Sequence, residues 1–141
     1  MSRCDATLQW FLEGGSEGFP EALGARGWAD SKLCQTVPFR VWWKRQEIVM
    51  EDVHAKIIIR DESTGDSVGG VVLLEGSDAQ VGPALFCWHQ YLDTDYRNTP
   101  GLWRKVMRLA IEATRQSGLK WLVWSHRDEA SGRIFYTYKE V

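Results

Sequence analysis

The spacing of hydrophobic positions changes several times along the chain, and each change predicts an element. Ala55 to Arg60, centred on Ile57-Ile58-Ile59, is a β-branched run that reads as a strand. The polar turn Asp61–Asp66 follows, and Val68–Leu74 returns as its hairpin partner. After a loop from Gly76 to Gly82, residues 84 to 92 form a third strand. Leu102, Val106, Leu109 and Ala113 then recur at helical spacing, with Trp103, Met107, Ala110 and Ile111 widening the stripe. Gly118 ends this helix near Gln116, and Trp121–Trp124 is a further apolar strand. Beyond the polar run Ser125–Glu129, the pattern predicts a helix from Ala130 to the end. The first fifty residues are less regular. A short helix is expected over residues 5 to 12 with Asp5 as N-cap, and another segment, helical to Leu23, after Phe19-Pro20. Residues 24 to 36 read as loop with at most one helical turn. Residues 39 to 50 fit either a strand, through Val41-Trp42-Trp43, or a helix, through Lys44–Glu47.

This order predicts an α/β (α+β) fold: a mixed sheet, in which an antiparallel hairpin lies beside one parallel pair, flanked by helices. The helix between residues 84–92 and 121–124 leaves room for a right-handed crossover. A chain of 141 residues suits one domain with a single core. Net charge is −2, and no uncharged apolar run is long enough for a membrane helix. Met1-Ser2-Arg3-Cys4 lacks the apolar region of a secretory signal, so synthesis in the cytoplasm is expected. Three well-separated cysteines read as reduced thiols. Eight tryptophans exceed an ordinary share. Adjacent Trp42 and Trp43 cannot both face one core from a regular strand, which makes Trp28, Trp42 and Trp43 the expected contacts for another protein subunit.

The chemistry concentrates between Ala84 and Trp124. A strand feeding a turn that opens a helix aims backbone N–H groups and the positive end of a helix dipole at one spot, a ready site for a pyrophosphate. Over residues 55 to 138 the chain resembles the GNAT N-acetyltransferase superfamily, with residues 1 to 50 as a divergent N-terminal part. Leu92-Asp93-Thr94-Asp95-Tyr96-Arg97 resembles the end of that family's fourth strand. Arg97 to Leu102 stands where an Arg-Gly-x-Gly-x-Gly/Ala loop holds acetyl-CoA. The resemblance therefore implies acetyl-CoA as coenzyme, with Leu92, Arg97, Asn98, Thr99, Gly101, Leu102 and Trp103 as the residues that would hold it. Asp128, Ser131, Ile134 and Phe135 resemble the pattern of the family's fourth helix.

Departures from the family accompany the likeness. Asn98, Pro100 and Leu102 replace glycines, and Pro100 has no N–H to give a phosphate. The usual tyrosine acid falls at Phe135, which leaves Tyr136 as the candidate acid one position on. The end at Val141 leaves no room for the family's last two strands, so the edge of the fifth strand is expected to lie bare or be filled by another chain. His89 and Glu75 are the candidate bases, although a strand histidine is more often structural; His54 and His126 read as surface residues. No paired spacing of Cys and His suggests a metal. Arg104, Lys105, Arg108 and Arg115 give the helix a basic face that reads as solvated, with nucleic acid a less favoured partner. Two functions follow. The first is a non-catalytic structural or assembly protein, a pseudoenzyme similar to small GNAT-like virion and morphogenesis proteins of short-tailed phages, with other subunits as partners. No cofactor is needed there. The alternative is an acetyl-CoA-dependent N-acetyltransferase acting on a small amine or a protein amino group.

Overall fold

The computed structural model describes residues 3–128 and 130–141. Six strands form one sheet in sequential order: β1 (Cys4–Phe11), β2 (His54–Asp61), β3 (Ser67–Asp78), β4 (Gly82–Leu92), β5 (Trp121–Asp128) and β6 (Arg133–Glu140). Every neighbouring pair is antiparallel except β4 and β5, which run parallel across the crossover helix α3 (Leu102–Gln116). Helices α1 (Glu21–Ala29) and α2 (Phe39–Met50), with short 3-10 turns at Cys34–Thr36 and Thr94–Tyr96, complete the described elements. This is the expected mixed sheet flanked by helices.

The sheet has a core on each face. On one, Val106, Ala110 and Ala113 of α3 pack on Ala6, Ile57, Ile59, Leu73, Leu85 and Leu122. On the other, Phe19, Leu23, Trp42, Trp43 and Met50 pack on Val72. The amphipathic stripe of α3 therefore does what its spacing predicts, burying Leu102, Val106, Ala110 and Ala113.

Several local expectations are overturned. Residues 4–11 are a strand because every second side chain (Ala6, Leu8, Trp10) joins the α3-side core; the helix expected over residues 5–12 is not formed. Helix α1 runs through Gly24 and Gly27, in the segment expected to be loop. Here glycine marks close packing: a Cβ on Gly24 would lie 2.4 Å from Cζ3 of Trp43. Residues 39–50 are helical, which corrects the inference drawn for the tryptophans. Neighbours on a helix lie about 100° apart, so both fit one buried arc. Trp43 is 3% exposed and Trp42 is 7% exposed. Trp28 also turns inward, its Nε1 donating to the carbonyls of Cys34 and Val37 at 3.0 Å each. His54 is buried, not on the surface, and stacks on Phe11.

The largest correction lies beyond Trp124. Strand β5 continues through Ser125 to Asp128, into the run read as polar loop, whose last residue, Glu129, lies outside the described residues. In place of the helix expected from Ala130, residues 133–140 are a strand paired along the whole of β5. Asp128, Ser131, Ile134 and Phe135 therefore form a turn and the start of β6, and the edge of β5 is covered by the chain itself.

Candidate functional site

The parallel pairing of β4 with β5 is confined to Leu85↔Leu122 and Phe86↔Val123. Beyond it the two strands part. Gln90 spans the gap, its Nε2 donating to the carbonyl of Ser125 at 2.8 Å. Two clefts open along this seam. The larger, about 720 Å³, is lined by Phe86, Trp88, His89, Arg127, Tyr136 and Tyr138 among others. The smaller, about 210 Å³, includes His89, Tyr91, Leu92, Arg97, Trp103 and Arg127. His89 and Arg127 belong to both.

His89 is held edge-on to Phe19 and Trp42, with centroids 5.5 and 5.4 Å away. Its Nε2 is shielded from solvent and has no hydrogen-bond partner among the described residues. Burial, reinforced by the positive charge of Arg127, pushes its pKa down to about 4, so the ring is neutral near pH 7. Tyr136 stands opposite Ser125 on β6, so it reaches the larger cleft from a strand and not from a helix. Glu75 lies on the rim of the same cleft.

The turn before α3 is built from local bonds. Arg97 N–H donates to the carbonyl of Thr94, Thr99 N–H to that of Tyr96, and Leu102 N–H to that of Thr99. Gly101 has φ 74°, in the left-handed region where a side chain would be strained. The first regular helical bond runs from Lys105 N–H to the Gly101 carbonyl, so the amides of Trp103 and Arg104 have no acceptor within the described residues. No acidic side chain occupies this first turn. Arg104 is exposed here and Arg108 is exposed one turn further on, whereas Lys105 is paired with Asp5 at 2.5 Å. Cations at the positive end of a helix are disfavoured by roughly 0.3–1 kcal/mol each. A bound anion would reverse that sign.

The predicted loop residues divide. Leu102 is buried in the core, and so is the side chain of Leu92, whose carbonyl accepts from Arg97 Nε at 2.8 Å. Arg97 also binds Asp30 at 2.6 Å, and that carboxylate holds the guanidinium pKa above its ordinary value. Thr99 donates its hydroxyl to the carbonyl of Tyr96. Asn98, Gly101 and Trp103 face solvent. Sequence reasoning missed Gln90, Ser125, Arg127 and Asp30. The alternation of β4 could have flagged Gln90, but nothing local couples Asp30 to a residue 67 positions away.

No family profile and no curated protein matches the sequence. Solved structures do. A proposed acetyl transferase from Pyrococcus furiosus superposes with a TM-score of 0.61 at 12% identity, over 89% of this chain and 85% of its own. The NatC complex bound to Gag peptide and CoA gives 0.58 at 15%, over 90% and 77%. The ribosomal-protein-alanine N-acetyltransferase of Brucella melitensis biovar Abortus 2308 gives 0.53 at 15%, over 84% and 78%. With the mixed sheet, the crossover helix and the parted β4 and β5 already in place, these likenesses establish that the chain has a GNAT-like fold.

Proposed function

We propose that this protein is an acetyl-CoA-dependent N-acetyltransferase acting on a small amine or a protein amino group. The observation that carries the reading is the seam where β4 and β5 part, whose smaller cleft also takes in Trp103 at the start of α3, where two amides are left without an acceptor among the described residues. The NatC structure that shares the fold has CoA bound, which makes the same coenzyme the natural choice here. The residues fit its diphosphate. The amides of Trp103 and Arg104 would receive it, and exposed Arg104 and Arg108 would neutralise it. Pro100 adds nothing to that cradle, and Arg97 is already engaged by Leu92 and Asp30.

When bound, the coenzyme supplies a thioester carbonyl to an attacking amine. The chain's part is placement. The larger cleft receives the acceptor, and neutral His89 forms part of its wall with Nε2 turned away from solvent. With a pKa near 4 the ring shapes the pocket and does not take the amine's proton. Exposed Tyr136 lies on the same wall.

A second reading is the non-catalytic assembly protein, including a virion component. Two observations favour it: Gln90 already bridges the seam, and β6 stands where a tyrosine-bearing helix was expected. The named likenesses lend the virion assignment no support. Calorimetry with acetyl-CoA, followed by thiol release in the presence of amines and of a peptide with a free N-terminus, separates the readings. The enzyme reading expects micromolar binding, weakened about tenfold or more by Arg104→Glu with Arg108→Glu. No heat at millimolar coenzyme with a folded protein would overturn it.

A further inference from the structure

Strand β6 is exposed along its whole length, unlike any other strand of the sheet. Ile134, Phe135 and Tyr136 are 47%, 51% and 56% exposed. Proteins blunt such edges with proline, bulges or central charges. Residues 134–138, Ile-Phe-Tyr-Thr-Tyr, have none of these.

The pairing with β5 fixes which backbone groups are left over. Val141 N–H donates to the carbonyl of Lys120 at 2.7 Å, so that pair is hydrogen-bonded. Bonded pairs alternate along an antiparallel ladder. Lys139, Thr137, Phe135 and Arg133 therefore bond to β5. The N–H and C=O groups of Ile134, Tyr136, Tyr138 and Glu140 point away from the sheet. Side chains on these even positions share the face of the larger cleft, to which Ile134, Tyr136 and Tyr138 all contribute.

We propose that β6 pairs antiparallel with β6 of a second copy, in the register that sets Thr137 opposite Thr137. A twofold axis normal to the sheet keeps the cleft faces of both copies on one side. It therefore allows only registers in which even positions meet even positions. Centring on Tyr136 or on Thr137 pairs the most of β6, and charge decides between these two. Centring on Tyr136 would set Arg133 against Lys139 at both ends, a like-charge pair that opposes association. Centring on Thr137 instead sets Lys139 against Phe135, Ile134 against Glu140 and Tyr136 against Tyr138, with no like charges facing. The outward amides and carbonyls then meet in bonded pairs. The second copy also extends the aromatic wall of the acceptor cleft, placing its Tyr138 beside Tyr136.

Sedimentation velocity over a wide concentration range tests the association. The result expected is a species of twice the 16.2 kDa chain mass at high concentration. Tyr136→Pro deletes an outward N–H without touching the β5 ladder, and is expected to leave a folded monomer by circular dichroism. Register is read by mild oxidation of Thr137→Cys. Opposed non-hydrogen-bonded residues lie about 4.5 Å apart at Cα, within disulfide reach. Thr137→Cys is expected to give a covalent dimer, while Phe135→Cys does not; the native thiols of Cys4, Cys34 and Cys87 are buried and do not compete. A wild-type chain that stays monomeric at every concentration overturns the proposal. So does a folded Tyr136→Pro dimer, or equal cross-linking from both cysteine variants. None of these readouts depends on coenzyme binding.

Discussion

The two outermost strands of the sheet make opposite use of the same element. In β1, buried and exposed side chains alternate, and α3 lies across its inner face. Its rim is tied down as well: Trp10 Nε1 donates to Gln116 at 2.7 Å, and Asp5 meets Lys105. Among the described residues no helix packs across either face of β6. Its side-chain ties there include Tyr138 to Asp78 and Lys120 to Glu140. An edge strand becomes core only where a helix covers it. Because α3 must cross from β4 to β5 over β1 and β2, it covers one end of the sheet and leaves the other open.

A matched pair of phenylalanines gives the largest test of this contrast. Phe11 on β1 is 7% exposed, stacks on His54 and lies beneath the ammonium of Lys56 at 3.8 Å. Phe135 on β6 has none of these partners. Phe11→Ala should cost about 3–5 kcal/mol in urea unfolding. Phe135→Ala, measured at a concentration where the chain is monomeric, should stay within about 0.5 kcal/mol of wild type. Equal losses would mean that β6 is covered in solution.

The parts legible in the sequence follow the same division. Strands β2, β3 and β4 and helix α3 are flanked on the core side by regular partners, so their spacing shows directly. β1 was misread because Trp10-Phe11-Leu12 is apolar at three consecutive positions, which masks the alternation of Ala6, Leu8 and Trp10. β6 was misread because Ile134, Phe135 and Tyr138 also fit a helical face. The β-branched and aromatic content of residues 134–138, and the turn at Gly132 with φ 71°, were the better signals. At the site, the helix start and the loss of glycine amides were legible. The seam between β4 and β5 was not, since it depends on how far two strands remain paired. Nor was the engagement of Arg97, which rests on the carboxylate of Asp30, just past the end of α1.

Lys56 gives an intermediate test, beside β1. It is buried, donates to the carbonyl of Gly15 at 2.6 Å, and has its pKa pushed down by burial from 10.5 to about 8. Below about pH 8 both folded and unfolded chains carry the proton, and the cost of burying the charge is complete. Between about pH 8 and 10.5 the unfolded chain binds more of the proton, so stability rises with pH. Lys56→Met should therefore be stabilising or neutral at pH 7, with a margin over wild type that shrinks by about 3 kcal/mol toward pH 10.5. A margin independent of pH would show that this ammonium is hydrated.

The smallest effect compares one hydrogen bond at each edge. Trp10→Phe removes the donor to Gln116, and Tyr138→Phe removes the donor to Asp78. Both bonds are exposed, so each is worth at most about 0.5–1.5 kcal/mol. Their consequences differ because of what lies behind them. The Trp10 ring packs against the α3-side core, so its replacement also removes apolar contact with a layer that must stay closed. The Tyr138 bond spans from β6 to the β3–β4 hairpin across the mouth of the larger cleft. Tyr138→Phe should barely move the unfolding midpoint, yet speed amide exchange selectively in β6. Exchange that rises equally in β1 would mean that the two edges open together, and that the sheet has no independent open end.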